Sequence, residues 1–171
     1  AKDTANTIKI DSATVSALES GALSSLTIND QTMTKDYTYF TVAEDEEISI
    51  VAVPNAQNLV SSVLVNGSAI DGDASNYPNY SATYKTDAST EYIISVGYYD
   101  ASNTVSVEGS GAKVKINGTN TTSTTVNRDS EVTVVITPDD NKFIASCDNM
   151  QGAYNGSAYE VTLNTGAYST Y

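Results

Sequence analysis

The stretch Thr41-Val42-Ala43-Glu44-Asp45-Glu46-Glu47-Ile48-Ser49-Ile50-Val51-Ala52-Val53-Pro54 decides the fold. Ile48, Ile50 and Ala52 alternate with Ser49 and Val51. A period of two sends alternate side chains to opposite faces of a strand, so these three predict the core-facing side of a long β-strand. Pro54 lacks the N–H a ladder needs and predicts the strand's end. The stretch then returns as Thr125-Val126-Asn127-Arg128-Asp129-Ser130-Glu131-Val132-Thr133-Val134-Val135-Ile136-Thr137-Pro138, identical at six of 14 positions. Asp45 and Glu47 recur as Asp129 and Glu131, which predicts a structural turn role for them, such as bonding to free backbone N–H groups.

Working outward, Asp3-Thr4-Ala5-Asn6-Thr7-Ile8-Lys9-Ile10-Asp11 is echoed by Asp100-Ala101-Ser102-Asn103-Thr104-Val105-Ser106-Val107-Glu108. A unit duplicated in this way is an architectural module in series. The repeat divides the 171 residues into two domains, 1–99 and 100–171. The second is shorter where Ser12 to Leu26 and Asp71 to Tyr80 shrink, so those places read as variable loops. Val15, Leu18 and Leu23 have roughly helical spacing in the first of them, but Gly21 weakens a helix, and the segment reads as a loop with at most one helical turn.

Val, Ile, Thr and Tyr dominate elsewhere, which favours strands. Asn66-Gly67, Asn117-Gly118 and Asn155-Gly156 suit the positive φ angles of tight type I′ hairpins. After each proline, Leu59 to Val65 or Lys142 to Cys147 and then Ser81 to Lys85 or Ser157 to Thr162 read as strands. Glu91 to Tyr98 and Ala167 to Tyr171 close the two units. The expected fold class is all-β: two tandem antiparallel β-sandwich domains.

Composition narrows function. The net charge of −13 repels phosphate backbones and anionic headgroups, so neither nucleic acid nor membrane insertion is expected. The absence of histidine removes Ser-His-Asp and Cys-His triads, and a lone cysteine cannot build a thiolate cage. No phosphate-binding glycine loop occurs, and no enzyme activity and no cofactor are expected. Cys147 forms no internal disulfide and reads as a buried, inert thiol. The start at Ala1 fits either removal of a secretory signal or clipping of an initiator methionine, so an extracellular, cell-surface or virion-surface location is expected.

The candidate sites are few. Asp71 and Asp73 resemble the opening of a calcium loop, but Ala82 stands where an EF-hand needs its glutamate, leaving a loose site or a polar turn. Among 12 tyrosines, Tyr77, Tyr80 and Tyr84 cluster beside the longer loop and are candidates for stacking on sugars or anchoring a protein contact, or else simply fill β positions. Asn66, Asn79, Asn117, Asn120 and Asn155 open N-x-S/T triplets, a number that Asn, Ser and Thr content produces by chance.

The order Thr-Val-x-x-Asp-x-Glu-Ile/Val, a β run, proline, an apolar patch, Asn-Gly or Gln-Gly and a tyrosine-bearing strand resembles the tandem β-repeats of bacterial surface proteins. It is also similar to immunoglobulin-like modules of phage structural proteins. Thr41 to Gly67 carries the resemblance, and Thr125 to Gly152 echoes it. The resemblance implies a non-catalytic decoration, fibre or spacer role in a virion or cell-surface assembly. Its partners would be other protein subunits, copies of the chain among them, meeting at sheet edges such as the strand of Ile8 and Ile10. The alternative is an adhesive module that binds glycans or a receptor through Tyr77, Tyr80 and Tyr84.

Overall fold

The computed structural model describes residues 5–88, 90–147, 152–167 and 171. The chain forms two compact units, Ala1–Asp100 and Ala101–Tyr171. It is mostly β, with four largely antiparallel sheets and one short helix among the described residues. No helix among them is long and apolar enough to cross a membrane.

Unit 1 runs β1 (Ala5–Ile10), α1 (Ser12–Ser20), β2 (Leu23–Ile28), β3 (Gln31–Thr32), β4 (Tyr39–Ala43), β5 (Glu47–Pro54), β6 (Asn58–Val65), β7 (Ser68–Ala69), β8 (Gly72–Asp73), β9 (Tyr80–Lys85) and β10 (Glu91–Asp100). One sheet has the order β4-β1-β10-β6-β7 and the other β3-β2-β5-β9-β8. All neighbours are antiparallel except β1 and β10, which run parallel with Ile8 opposite Tyr92. Ile8, Ile10 and Ile94 from the first sheet share one buried cluster with Leu26, Ile48 and Ile50 from the second. Burial of each such side chain contributes about 1.5–3 kcal/mol. Two sheets sharing one core are consistent with a β-sandwich.

Unit 2 runs β11 (Asn103–Ser106), β12 (Ala112–Ile116), β13 (Thr119–Asn120), β14 (Ser123–Val126), β15 (Glu131–Pro138), β16 (Ala153–Tyr154) and β17 (Tyr159–Asn164). Its sheets are β11-β14 and β13-β12-β15-β17-β16. Val132, Val134 and Ile136 on β15 are buried, as Ile48, Ile50 and Ala52 are on β5. The two-residue alternation therefore marks the core face in both repeats.

The structure corrects several expectations. Ser12 to Ser20 is a helix, and Leu23 to Ile28 is a strand. Asp11 accepts from the Thr14 N–H at 2.8 Å as N-cap, and Gly21, at φ +77°, ends the helix in the left-handed conformation. Gly21 is thus a stop rather than a weak interior residue. Lys142 to Cys147 forms no strand; Ile144 and Cys147 lie partly buried against the unit 2 core, while Phe143 is exposed. Ile8 and Ile10 are not on an edge, because β1 lies between β4 and β10 and both side chains are buried. Tyr168 to Thr170, within the expected closing strand Ala167 to Tyr171, lie outside the described residues.

The turns divide by chemistry. Asn66-Gly67 and Asn117-Gly118 have positive φ at both residues, as a type I′ turn requires. Asn155 does not: its Oδ1 accepts from the N–H groups of Ser157 and Ala158, which makes an Asx turn instead. Asn29-Asp30 has φ +49° and +60° and joins the I′ pattern without any glycine. Asn tolerates the left-handed region through local side-chain bonding, which explains its use here.

Candidate functional site

Buried polar chemistry is duplicated between the units. Asn6 Nδ2 donates to the carbonyls of Asp87 at 2.7 Å and Ala43 at 3.3 Å. Asn103 Nδ2 donates to those of Gly166 at 2.6 Å and Asn127 at 3.5 Å. Thr86 Oγ1 donates to the Glu46 carbonyl at 2.9 Å, and Thr165 Oγ1 to that of Ser130 at 3.1 Å. The Tyr92 hydroxyl accepts from the Asp87 N–H at 2.7 Å, and the Tyr171 hydroxyl from the Gly166 N–H at 2.8 Å. The Tyr171 backbone also donates to the Thr104 carbonyl and accepts from the Ser106 N–H. Tyr171 thus meets the opening strand of unit 2 as Tyr92, opposite Ile8, meets that of unit 1. Each Asn, Thr and Tyr set ties an opening strand to the turn before the long core strand and to a later link. Among the described residues, no buried side-chain nitrogen or oxygen lacks a partner.

The turn residues Asp45 and Asp129 have φ +56° and +55°, so their shared role is a left-handed backbone corner. The bond to a backbone N–H is made by Glu46, whose Oε2 accepts from Ala43 at 3.1 Å while Oε1 accepts from Asn29 Nδ2 at 3.2 Å. Comparison of the repeats hides Glu46, because Ser130 replaces it in the second.

The expected binding tyrosines do not share one free surface. Tyr77 is 51% exposed. Tyr80 and Tyr84 lie on the same face of β9 as the buried Ala82 and pack against the core. The Tyr80 ring lies over Gly72, where a Cβ would collide with it. Tyr84 packs tilted against Tyr92, with ring centroids 5.6 Å apart. Tyr159 covers Gly152 in the same way and accepts a hydrogen bond from its N–H. The tyrosine that opens this strand in both repeats serves packing.

Asp71 lies in the link between β7 and β8, and Asp73 accepts from the Ser75 N–H at 2.7 Å. The backbone and side-chain bonds from Ser75 hold the Asp73 carboxyl below its usual range. Among the described residues, no three His, Cys, Asp or Glu side chains converge as metal ligands would. Burial pushes the Asp11 carboxyl up, but hydrogen bonds from Thr14 and Ser95 outweigh it and leave the carboxyl lowered.

A groove of about 1120 Å³ runs along the outer side of β4, on unit 1. Tyr37, Tyr39, Phe40 and Thr41 line it, with Asp36 and Glu46 toward its ends. A tight turn presents Tyr37: Thr34 and Tyr37 exchange backbone hydrogen bonds at 3.0 and 3.1 Å. Its ring stacks on Phe40 at 6.5 Å and 8°. Tyr39 is 61% exposed. This aromatic strip lies in a segment whose only sequence signal is its tyrosine content. The groove can offer ring faces, carboxylates and an open backbone edge.

No family model, no curated protein and no solved structure matches this chain.

Proposed function

We propose that the chain is a non-catalytic structural module of a virion or cell-surface assembly, acting as a decoration, fibre or spacer element. One observation carries the reading. The buried Asn and Thr side chains of both repeats, together with one tyrosine hydroxyl in each, are used on the chain's own backbone, in the same way twice. Such groups fix architecture and leave the working surface to strand edges and turns. The immunoglobulin-like form of the sandwich, an extracellular or virion-surface location and protein subunits as partners belong to the same proposal.

Light scattering across a concentration series, with electron microscopy of large species, tests it. Defined multimers are expected of a building block. A strict monomer at every concentration would contradict assembly through copies of the chain.

A second reading is adhesion to glycans or a receptor. The exposed rings of Tyr37, Tyr39 and Tyr77 favour it, since aromatic faces stack on sugars. Alanine at Tyr39 and Tyr77 would then abolish glycan binding at an unchanged melting temperature.

A further inference from the structure

Among the described strands, β4 is the outermost of its sheet and pairs only with β1. Ile10 N–H donates to the Thr38 carbonyl at 2.9 Å. With Ile10 opposite Thr38, the antiparallel register gives Phe40 and Val42 the same phase toward β1. The backbone N–H and C=O groups of Tyr39 and Thr41 consequently point away from β1, into the groove. Ala43 is in the same phase, and its N–H is already taken by the Glu46 carboxylate. That contact closes the edge at one end and leaves the two residues before it open.

An open edge beside a groove is the geometry of strand addition. Main-chain bonds supply affinity, and side-chain surroundings select the sequence. Here the described lining residues include two carboxylates, Asp36 and Glu46, and no lysine or arginine. Glu44, Asp45 and Glu47 adjoin Glu46 in sequence, on a chain with net charge −13. Tyr37 and Tyr39 add exposed aromatic surface. A strand of five residues spans roughly 17 Å, enough to seat a short extended segment.

We propose that the outer edge of β4 binds an extended, lysine- or arginine-bearing segment of another protein, added as a further strand. The segment's backbone pairs with Tyr39 and Thr41, its cations face Asp36 and Glu46, and its apolar side chains cover Tyr37 and Tyr39. This goes beyond the module reading. Solution mass reports self-association, whereas the test below reports the β4 edge alone, so the two fail separately.

The probe is an acetylated, amidated heptapeptide alternating lysine and valine, titrated into the full chain with backbone amides followed by NMR. Saturable shifts at Tyr39 and Thr41 are expected. Thr41→Pro removes one outward N–H that has no partner in β1, a change edge strands tolerate. It should weaken binding at least about tenfold, with the melting temperature retained. The same peptide N-methylated on alternate residues of one edge should lose binding by a similar factor. That ligand-side result decides the matter if Thr41→Pro does not fold. Absent or unsaturable shifts overturn the proposal, as does equal binding by the glutamate–valine analogue or by both blocked forms. Maltohexaose moving the same amides while the peptide does not would make the groove a glycan site instead.

Discussion

Asn6 donates to the Asp87 carbonyl at 2.7 Å across 81 positions of chain, and Asn103 repeats this bond to Gly166 at 2.6 Å. Both asparagines are buried, at 0% and 1% exposure. The Oδ1 of Asn6 also accepts from Thr90 N–H at 2.9 Å. A side-chain amide donating twice and accepting once in this way ties the end of β4 to the link of Asp87 and Thr90, two backbone segments that have no ladder between them. Asn6→Ala should strip Ala43, Asp87 and Thr90 of that partner and cost about 2–4 kcal/mol, since each of the three hydrogen bonds contributes about 0.5–1.5 kcal/mol net. Denaturant unfolding with an unchanged m value would register it.

Removing the Asp11 cap should cost about 1 kcal/mol in Asp11→Ala, with Asp11→Asn retaining most of it. The pH dependence has a definite sign. The folded carboxyl sits below the ordinary value of 3.8, so the stabilisation is fully present above that value. It is lost as pH falls from about 3.8 through the lower folded value. The stability advantage of the wild type over Asp11→Asn should therefore shrink across that acid window. An advantage that is flat with pH there would contradict this.

Three turn asparagines extend their hairpins by imitating backbone. Asn29, Asn66 and Asn117 each donate an N–H to the facing strand and accept from it through Oδ1, with partners Ser49, Ile93 and Thr133 at 2.8–2.9 Å. Asn117→Ala should lose an acceptor and place an alanine at φ +48°, for a combined cost of about 2–3 kcal/mol. Asn117→Asp keeps the acceptor and should cost less than half as much. Thermal unfolding of the two variants side by side makes the comparison.

Gly72→Ala should force the Tyr80 ring off its seat, because the new methyl would occupy the ring's position. Overpacking of this kind costs about 1–3 kcal/mol. Tyr80→Ala in the same background should recover part of the loss, and a double-mutant cycle measures the coupling.

The β5 and β15 strands are legible because burial there follows a period of two and ends at proline. The duplication is legible because its turn and strand positions keep chemistry as well as hydrophobicity. Gly21 hides the helix: glycine inside a helical pattern and glycine at its end read alike until Asp11 is recognised as the matching start. Lys142 to Cys147 reads as a strand because it follows proline as Leu59 to Val65 does and because Phe143, Ala145 and Cys147 alternate, yet Phe143 and Ala145 are exposed and Ile144, from the other face, is partly buried. Tyr80 and Tyr84 read either as rings free to stack on a ligand or as fillers of β positions, because tyrosine suits both settings, and the buried Ala82 between them fixes their side of the strand. The β4 groove is not legible, since it depends on which strand lies at the sheet edge and which way its backbone groups point.

The claim that two repeats share one inward-directed polar framework is tested most directly by residue-resolved amide hydrogen exchange on Asn6→Ala and Asn103→Ala. Asn6→Ala should accelerate exchange at Thr86, Asp87 and Thr90, and Asn103→Ala at the matching Thr165 and Gly166. Wild-type protection at these amides in both variants would contradict the account.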